Sequence, residues 1–121
     1  MDKFHDQNTL VSFFKKEVNV FVATRNWKKY HTPKNLIQAL TIEAAELSQC
    51  LLFKEDNIED ILRDKSLLAN ISEEIADVFI YLISIINVLG LDLTKTFIRK
   101  MEKNKNKYSL KEFNNGKYYK K

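Results

Sequence analysis

Glycine and proline together supply only three of the 121 residues, where average usage would give roughly fourteen in a chain of this length. Sandwiches and barrels need frequent turns, and turns draw heavily on these two residues. So small a supply of breakers leaves a few long helices as the structure this chain can form. With 45% hydrophobic and 30% charged residues, it can build a core and is too apolar for disorder. The expected fold is all-α and four-helix-bundle-like, one domain at residues 1–108 with a basic, loosely ordered tail at 109–121.

The first helix is expected to open at Asn8 or Thr9, both good N-caps, and to run through Phe14, Val18, Phe21 and Val22 to about Arg25. Thr32 followed by Pro33 reads as the N-cap and first residue of a second helix. Its apolar stripe is Leu36, Leu40, Ala44, Leu47 and Leu51, ending near Phe53. Residues 54–64 are charged and predict a loop with a short helical turn around 58–62. A third helix is expected from about Ser66 to Leu89, with the stripe Leu68, Ile71, Ile75, Val78, Leu82, Ile86 and Leu89, closed by Gly90. Asp92 can cap a fourth, which fades near Tyr108. The third helix is apolar nearly all round between Val78 and Leu89, more than a surface helix needs. That run is about 12 residues, short of the ~20 that span a membrane.

The net charge of +4 is unevenly placed. Residues 1–98 hold 11 Lys and Arg against 14 Asp and Glu, whereas residues 99–121 hold 9 against 2. A mildly acidic body thus carries a basic end. One reading of that end is a non-catalytic helical bundle that binds nucleic acid through its C-terminal segment; it lacks a groove-reading element, and a nucleic-acid partner is not the expected one. Lys111, Lys117, Lys120 and Lys121 read as a solvated tail. The single cysteine, Cys50, cannot form an internal disulfide, and the first residues lack the apolar stretch of a signal peptide. A cytoplasmic protein without a membrane segment is expected.

Four acids carry the chemistry. Glu43 and Glu46 stand at i and i+3 on the second helix, and Glu74 and Asp77 stand likewise on the third. Each pair therefore projects from one side of its helix, beside the apolar stripe. No Lys or Arg lies three or four residues from any of them. One reading is two solvated acidic faces. The other is that the helices face each other, in which case four carboxylates converge and require a cation. Carboxylate oxygens suit Mg²⁺, with Mn²⁺ possible, whereas zinc takes His or Cys and a di-iron bundle takes Glu-x-x-His. Neither His5 nor His31 lies in such a motif, so a magnesium site and phosphate chemistry are the first expectation.

The run EAAE at 43–46, followed after 27 residues by EIAD at 74–77, resembles the ExxE…ExxD signature of the MazG-like all-α nucleoside triphosphate pyrophosphohydrolases. The segments RNWKKYHTPKNL from Arg25, SEEIADVFIYL from Ser72 and KMEKNKNKY from Lys100 are similar to that family in the same order, nearest its dCTP pyrophosphatase-like branch. The resemblance covers about 21–108. It implies the all-α pyrophosphatase fold and hydrolysis of a (deoxy)nucleoside triphosphate between the α and β phosphates, to a monophosphate and pyrophosphate, as nucleotide-pool house-cleaning. It implies Mg²⁺ on Glu43, Glu46, Glu74 and Asp77, with Glu43 and Glu46 as catalytic candidates, one of them supplying the nucleophile itself or orienting a metal-bound water that does. Lys54, Lys100 and Asn104 would contact phosphate, and the chain would form a homodimer or homotetramer. A silent relative kept for oligomerisation is disfavoured because all four acids are present.

Trp27, His31 and Phe53 fall in or beside connections, where an aromatic face can stack on a base; Trp27 and Phe53 can equally plug the ends of a bundle. Tyr81, one turn beyond Asp77, lies on the acidic flank and is a pocket candidate. The dCTP-preferring branch tends to carry tryptophan at the place of Phe53 and histidine at the place of Val18. Those differences point to a broader (d)NTP range than cytosine alone.

Overall fold

A computed structural model of the chain describes residues 3–54 and 57–121. All of its regular structure is helical: α1 Val11–Thr24, α2 Pro33–Gln49, the short α3 Ile58–Arg63, α4 Lys65–Leu89 and α5 Leu93–Lys107, with 3₁₀ turns at Lys28–Tyr30 and Asn114–Gly116. Among the described residues there is no strand, and no single helix is long and apolar enough to cross a membrane. The chain divides into two compact units, Met1–Gly90 and Leu91–Lys121.

Local chemistry accounts for most helix ends. Thr32 caps α2 by accepting a hydrogen bond from the Asn35 amide at 3.2 Å, with Pro33 in the first turn. Asp64 caps α4 through Leu67 N–H at 3.0 Å, and Asp92 caps α5 through Lys95 N–H at 2.9 Å. Gly90 closes α4 at φ 64°, a left-handed conformation that glycine adopts without a Cβ clash. The start of α1 differs from expectation: Leu10 occupies the N-cap position without a side-chain bond. Asn8 is committed upstream, where its Oδ1 accepts from the His5 amide at 2.9 Å and from the Thr9 hydroxyl at 2.8 Å. The end of α2 also differs. It stops at Gln49, and turns carry the chain to Phe53, which sits at φ 60°.

In the first unit α2 lies along α4 in the most extensive helix pairing, α1 packs on α4, and α3 touches α4. Leu36 of α2 and Ile83 of α4 are sealed at 2% and 0% exposure, and Val22, Leu67 and Ile86 are buried as well. Two contacts fix α1 on α4: Phe14 meets Phe79 edge-to-face at 5.3 Å, and Asn87 Nδ2 donates to the Lys15 carbonyl at 3.1 Å.

The single stripe expected on α4 needs correction. Ile86 is buried, but Ile75, Leu82 and Leu89 are 52%, 41% and 51% exposed, and Leu67 and Ile83 are buried instead. Three helices, α1, α2 and α3, touch α4, and an α-helix turns its face by about 100° per residue, so no one line of side chains meets them all. Residues spaced by seven stay nearly in line, which leaves Ile75, Leu82 and Leu89 as an uncovered apolar row. Ala44 of the α2 stripe is likewise exposed.

The second unit comprises α5 and the C-terminal residues after it. Phe113 packs between Tyr108 at 5.2 Å and Tyr119 at 4.7 Å. Glu112 accepts from the Tyr119 hydroxyl and pairs with Lys121 Nζ at 2.5 Å. Lys121 is exposed, as are Lys111, Lys117 and Lys120, and it is also paired with Glu112.

Candidate active site

Because α2 and α4 run against each other, the two acidic pairs meet. Carboxylate oxygens of Glu43, Glu46 and Glu74 lie within 4.8 Å of one another, close enough to share one metal ion. Glu43 Oε2 and Glu74 Oε2 are buried without a hydrogen-bond partner. A buried carboxylate oxygen normally finds a donor, and these two have like charges for neighbours. The carboxyl of Glu43 is pushed up to about 7, first by a hydrogen bond shared with Glu46, then by burial and by the negative charges of Glu46, Asp77 and Glu74. Glu74 is raised by burial and by the charges of Glu46 and Asp77, against a smaller lowering by its hydrogen bond with Glu43. Asp77 stands outside the close trio, yet its charge acts on both glutamates.

Glu43 and Asp77 also border a cavity of about 590 Å³ that opens between α1, the 26–32 connection, α2 and α4. Its apolar walls are Phe14, Val18, Phe21, Val22, Phe79 and Ile80; Trp27, His31 and Tyr81 line it as well. Trp27 is positioned at the mouth by its amide, which donates to the Val22 carbonyl at 3.0 Å, and by an edge-to-face contact with Phe21 at 5.7 Å. The Arg25 guanidinium stacks on the same Phe21 ring, 3.8 Å from its centroid. The cavity has the size and lining of a small-molecule site.

Of the residues singled out from the sequence, the structure brings Glu43, Glu46, Glu74 and Asp77 together, and places Trp27, His31 and Tyr81 on the cavity adjoining them. Phe53 is not brought there: its side chain is fully exposed on the turn after α2, so it neither lines the cavity nor plugs the helix ends. Lys54 is exposed on the same turn. Lys100 and Asn104 lie one turn apart on α5, in the second unit. The sequence reading missed Phe14, Phe21, Phe79 and Ser84 as cavity walls. The three phenylalanines carry the same periodic signal as core residues, but Ser84, a hydroxyl inside an apolar run, was a signal that could have been used.

The chain is similar to known proteins over most of its length. A model of the MazG-like family matches residues 39–121, a span that holds all four acids. The chain is 34% identical over 90 residues to dCTP pyrophosphatase 1 of Rattus norvegicus, covering 73% of this chain and 52% of that protein. It is 33% identical over 92 residues to the Homo sapiens protein of the same name, with the same coverage. The chain thus spans about half the length of these curated relatives. A solved pyrophosphatase from Archaeoglobus fulgidus DSM 4304 superposes with a TM-score of 0.74 at 35% identity, over 88% of this chain and 99% of that one. With an acidic cluster between paired helices and a family match over its greater part, the chain belongs to the MazG-like family.

Proposed function

We propose that this chain is a metal-dependent nucleotide pyrophosphohydrolase, cleaving a (deoxy)nucleoside triphosphate between the α and β phosphates to the monophosphate and pyrophosphate, and so removing surplus or damaged nucleotides. The observation that carries the reading is the joining of a crowded acidic cluster, with two partnerless oxygens, to an aromatic-lined cavity that two of the same acids border. A nucleotide has the matching duality: anionic phosphates that need a cation, and a flat base that favours an apolar slot. The pyrophosphatases among its relatives support the same reaction class.

Glu43, Glu46, Glu74 and Asp77 would hold the metal. Their donor set is all carboxylate oxygen, which fits Mg²⁺ or Mn²⁺, and the orphaned oxygens of Glu43 and Glu74 are acceptors a cation would satisfy. Once bound, such an ion offsets phosphate charge and stabilises the charge that develops at the anhydride. Glu43 and Glu46 are the candidates for orienting the attacking water. The base enters the cavity, beside Trp27, His31 and Tyr81. Lys54, Lys100 and Asn104 are assigned to phosphate oxygens, the last two sharing one face of α5.

The test is incubation with each (d)NTP and Mg²⁺, with products resolved. Monophosphate and pyrophosphate in equal amounts are expected. A diphosphate with orthophosphate, or no turnover of any (d)NTP, would overturn the reading.

Self-association into a dimer or tetramer belongs to the same proposal. The exposed row Ile75, Leu82 and Leu89 is an apolar strip that a second copy can cover. Light scattering during size exclusion should show an oligomer for the wild type and a monomer for Leu82→Glu, with helicity retained. A monomeric wild type would remove this part of the proposal.

A further inference from the structure

A second cavity, of about 310 Å³, adjoins the first, and the two share Val18, Val22, His31 and Ser84. Their chemistry differs. The first is walled by apolar and aromatic side chains, with Glu17, Glu43 and Asp77 as its acids; the second adds Asn19, Lys28 and Asn87 and has no acid in its lining. Both cavities lie within residues 1–90.

The two linings meet at Val18 and Val22 of α1, at His31 and at Ser84 of α4. The Ser84 hydroxyl donates to the Ile80 carbonyl at 3.0 Å, which leaves its oxygen able to accept. Asn87 Nδ2 is anchored on the Lys15 carbonyl at 3.1 Å, which holds that amide in place. Lys28 brings the one fixed positive charge in the lining. A base seated in the first cavity presents its ring to apolar surface, and any group projecting from it past Val18 and Ser84 meets amides, a hydroxyl and an ammonium. The volume exceeds what one water occupies, about 30 Å³, roughly tenfold, so it admits a substituent of several heavy atoms together with solvent.

We propose that the second cavity is an accessory subsite for an anionic substituent carried on the substrate's base, entered across the border that Val18 and Ser84 share, with Lys28 setting the preference for negative charge. Among nucleotides, the substrates it adds are pyrimidine triphosphates bearing a carboxylate-terminated side chain on the ring. The inference rests on the reading of the first cavity as the base site.

Two analogues of equal reach and opposite charge test it: the 5-(2-carboxyvinyl) and 5-(3-aminoallyl) derivatives of whichever of dCTP and dUTP is turned over. The carboxyvinyl derivative should be hydrolysed with a kcat/KM about tenfold above that of the aminoallyl derivative, the scale of one hydrogen bond to a charged group. Lys28→Glu, a change at an exposed position, should reverse that order, and Val18→Phe should lower the kcat/KM of both derivatives relative to the parent nucleotide. Equal rates for the two derivatives, rejection of both, or indifference of their ratio to Lys28→Glu would overturn the inference while leaving the pyrophosphohydrolase reading intact. If neither dCTP nor dUTP is turned over, the inference falls; if no (d)NTP is, the proposed function falls with it.

Discussion

Glu43→Gln should reduce turnover by at least about 100-fold, the scale on which positioned charge and proton transfer act in catalysis, and should at the same time stabilise the metal-free protein at pH 8. The two effects have one origin. Glu43 contributes a carboxylate to the close trio with Glu46 and Glu74, so the amide removes a ligand and a candidate for orienting water. The same carboxylate stands among three other acids that raise it to about 7, so at pH 8 it is ionised against repulsion that the neutral amide relieves. At pH 5 the native carboxyl is already protonated, and the substitution should change Tm little. Thermal melts at the two pH values, beside product-resolved assays, check both halves. A variant that loses activity and is equally destabilised at both pH values would mark Glu43 as a structural residue and remove it from the site.

The acidic cluster was legible because a helix converts spacing into geometry. Glu43 with Glu46, and Glu74 with Asp77, had to share faces once α2 and α4 were helical, and the lack of a nearby Lys or Arg in sequence matched the unpartnered oxygens found in space. The capped starts of α2 and α5 and the glycine end of α4 were legible for the same reason, since each rests on residues within one turn. What could not be read was decided between helices. Ile83 and Ile75 are equally apolar, and it is the packing of other helices on α4 that buries the first and leaves the second exposed. Phe14, Phe21 and Phe79 follow a core rhythm, yet they wall a cavity whose lining includes Trp27 and His31 of the 26–32 connection. Asn8 could cap a helix or close a turn, and the turn with His5 took its side chain.

Metal and protons compete for the same carboxylates, which gives the second large effect. Glu43 titrates at about 7 in the folded chain against an ordinary value of 4.5, and Glu74 is raised as well. The folded state thus binds more protons than the unfolded state between these values, and stability falls as pH rises through that interval. In the absence of metal, Tm should be highest near pH 5 and should decline up to pH 8. Glu112, lowered by its hydrogen bonds with Lys121 and Tyr119, loses its contribution below the ordinary carboxylate range and does not disturb the window. Adding Mg²⁺ at pH 8 should reverse the decline, because a ligand of the folded state at about 100 times its Kd contributes about 2.7 kcal/mol, or roughly 10 °C in Tm for a domain of this size. At pH 5 the same addition should shift Tm much less, since the ion must displace protons to bind. Scanning calorimetry with and without Mg²⁺ across pH 5–8 measures the effect directly. A metal-induced shift of equal size at pH 5 and pH 8, or its survival in Glu43→Gln, would place the ion away from the four acids.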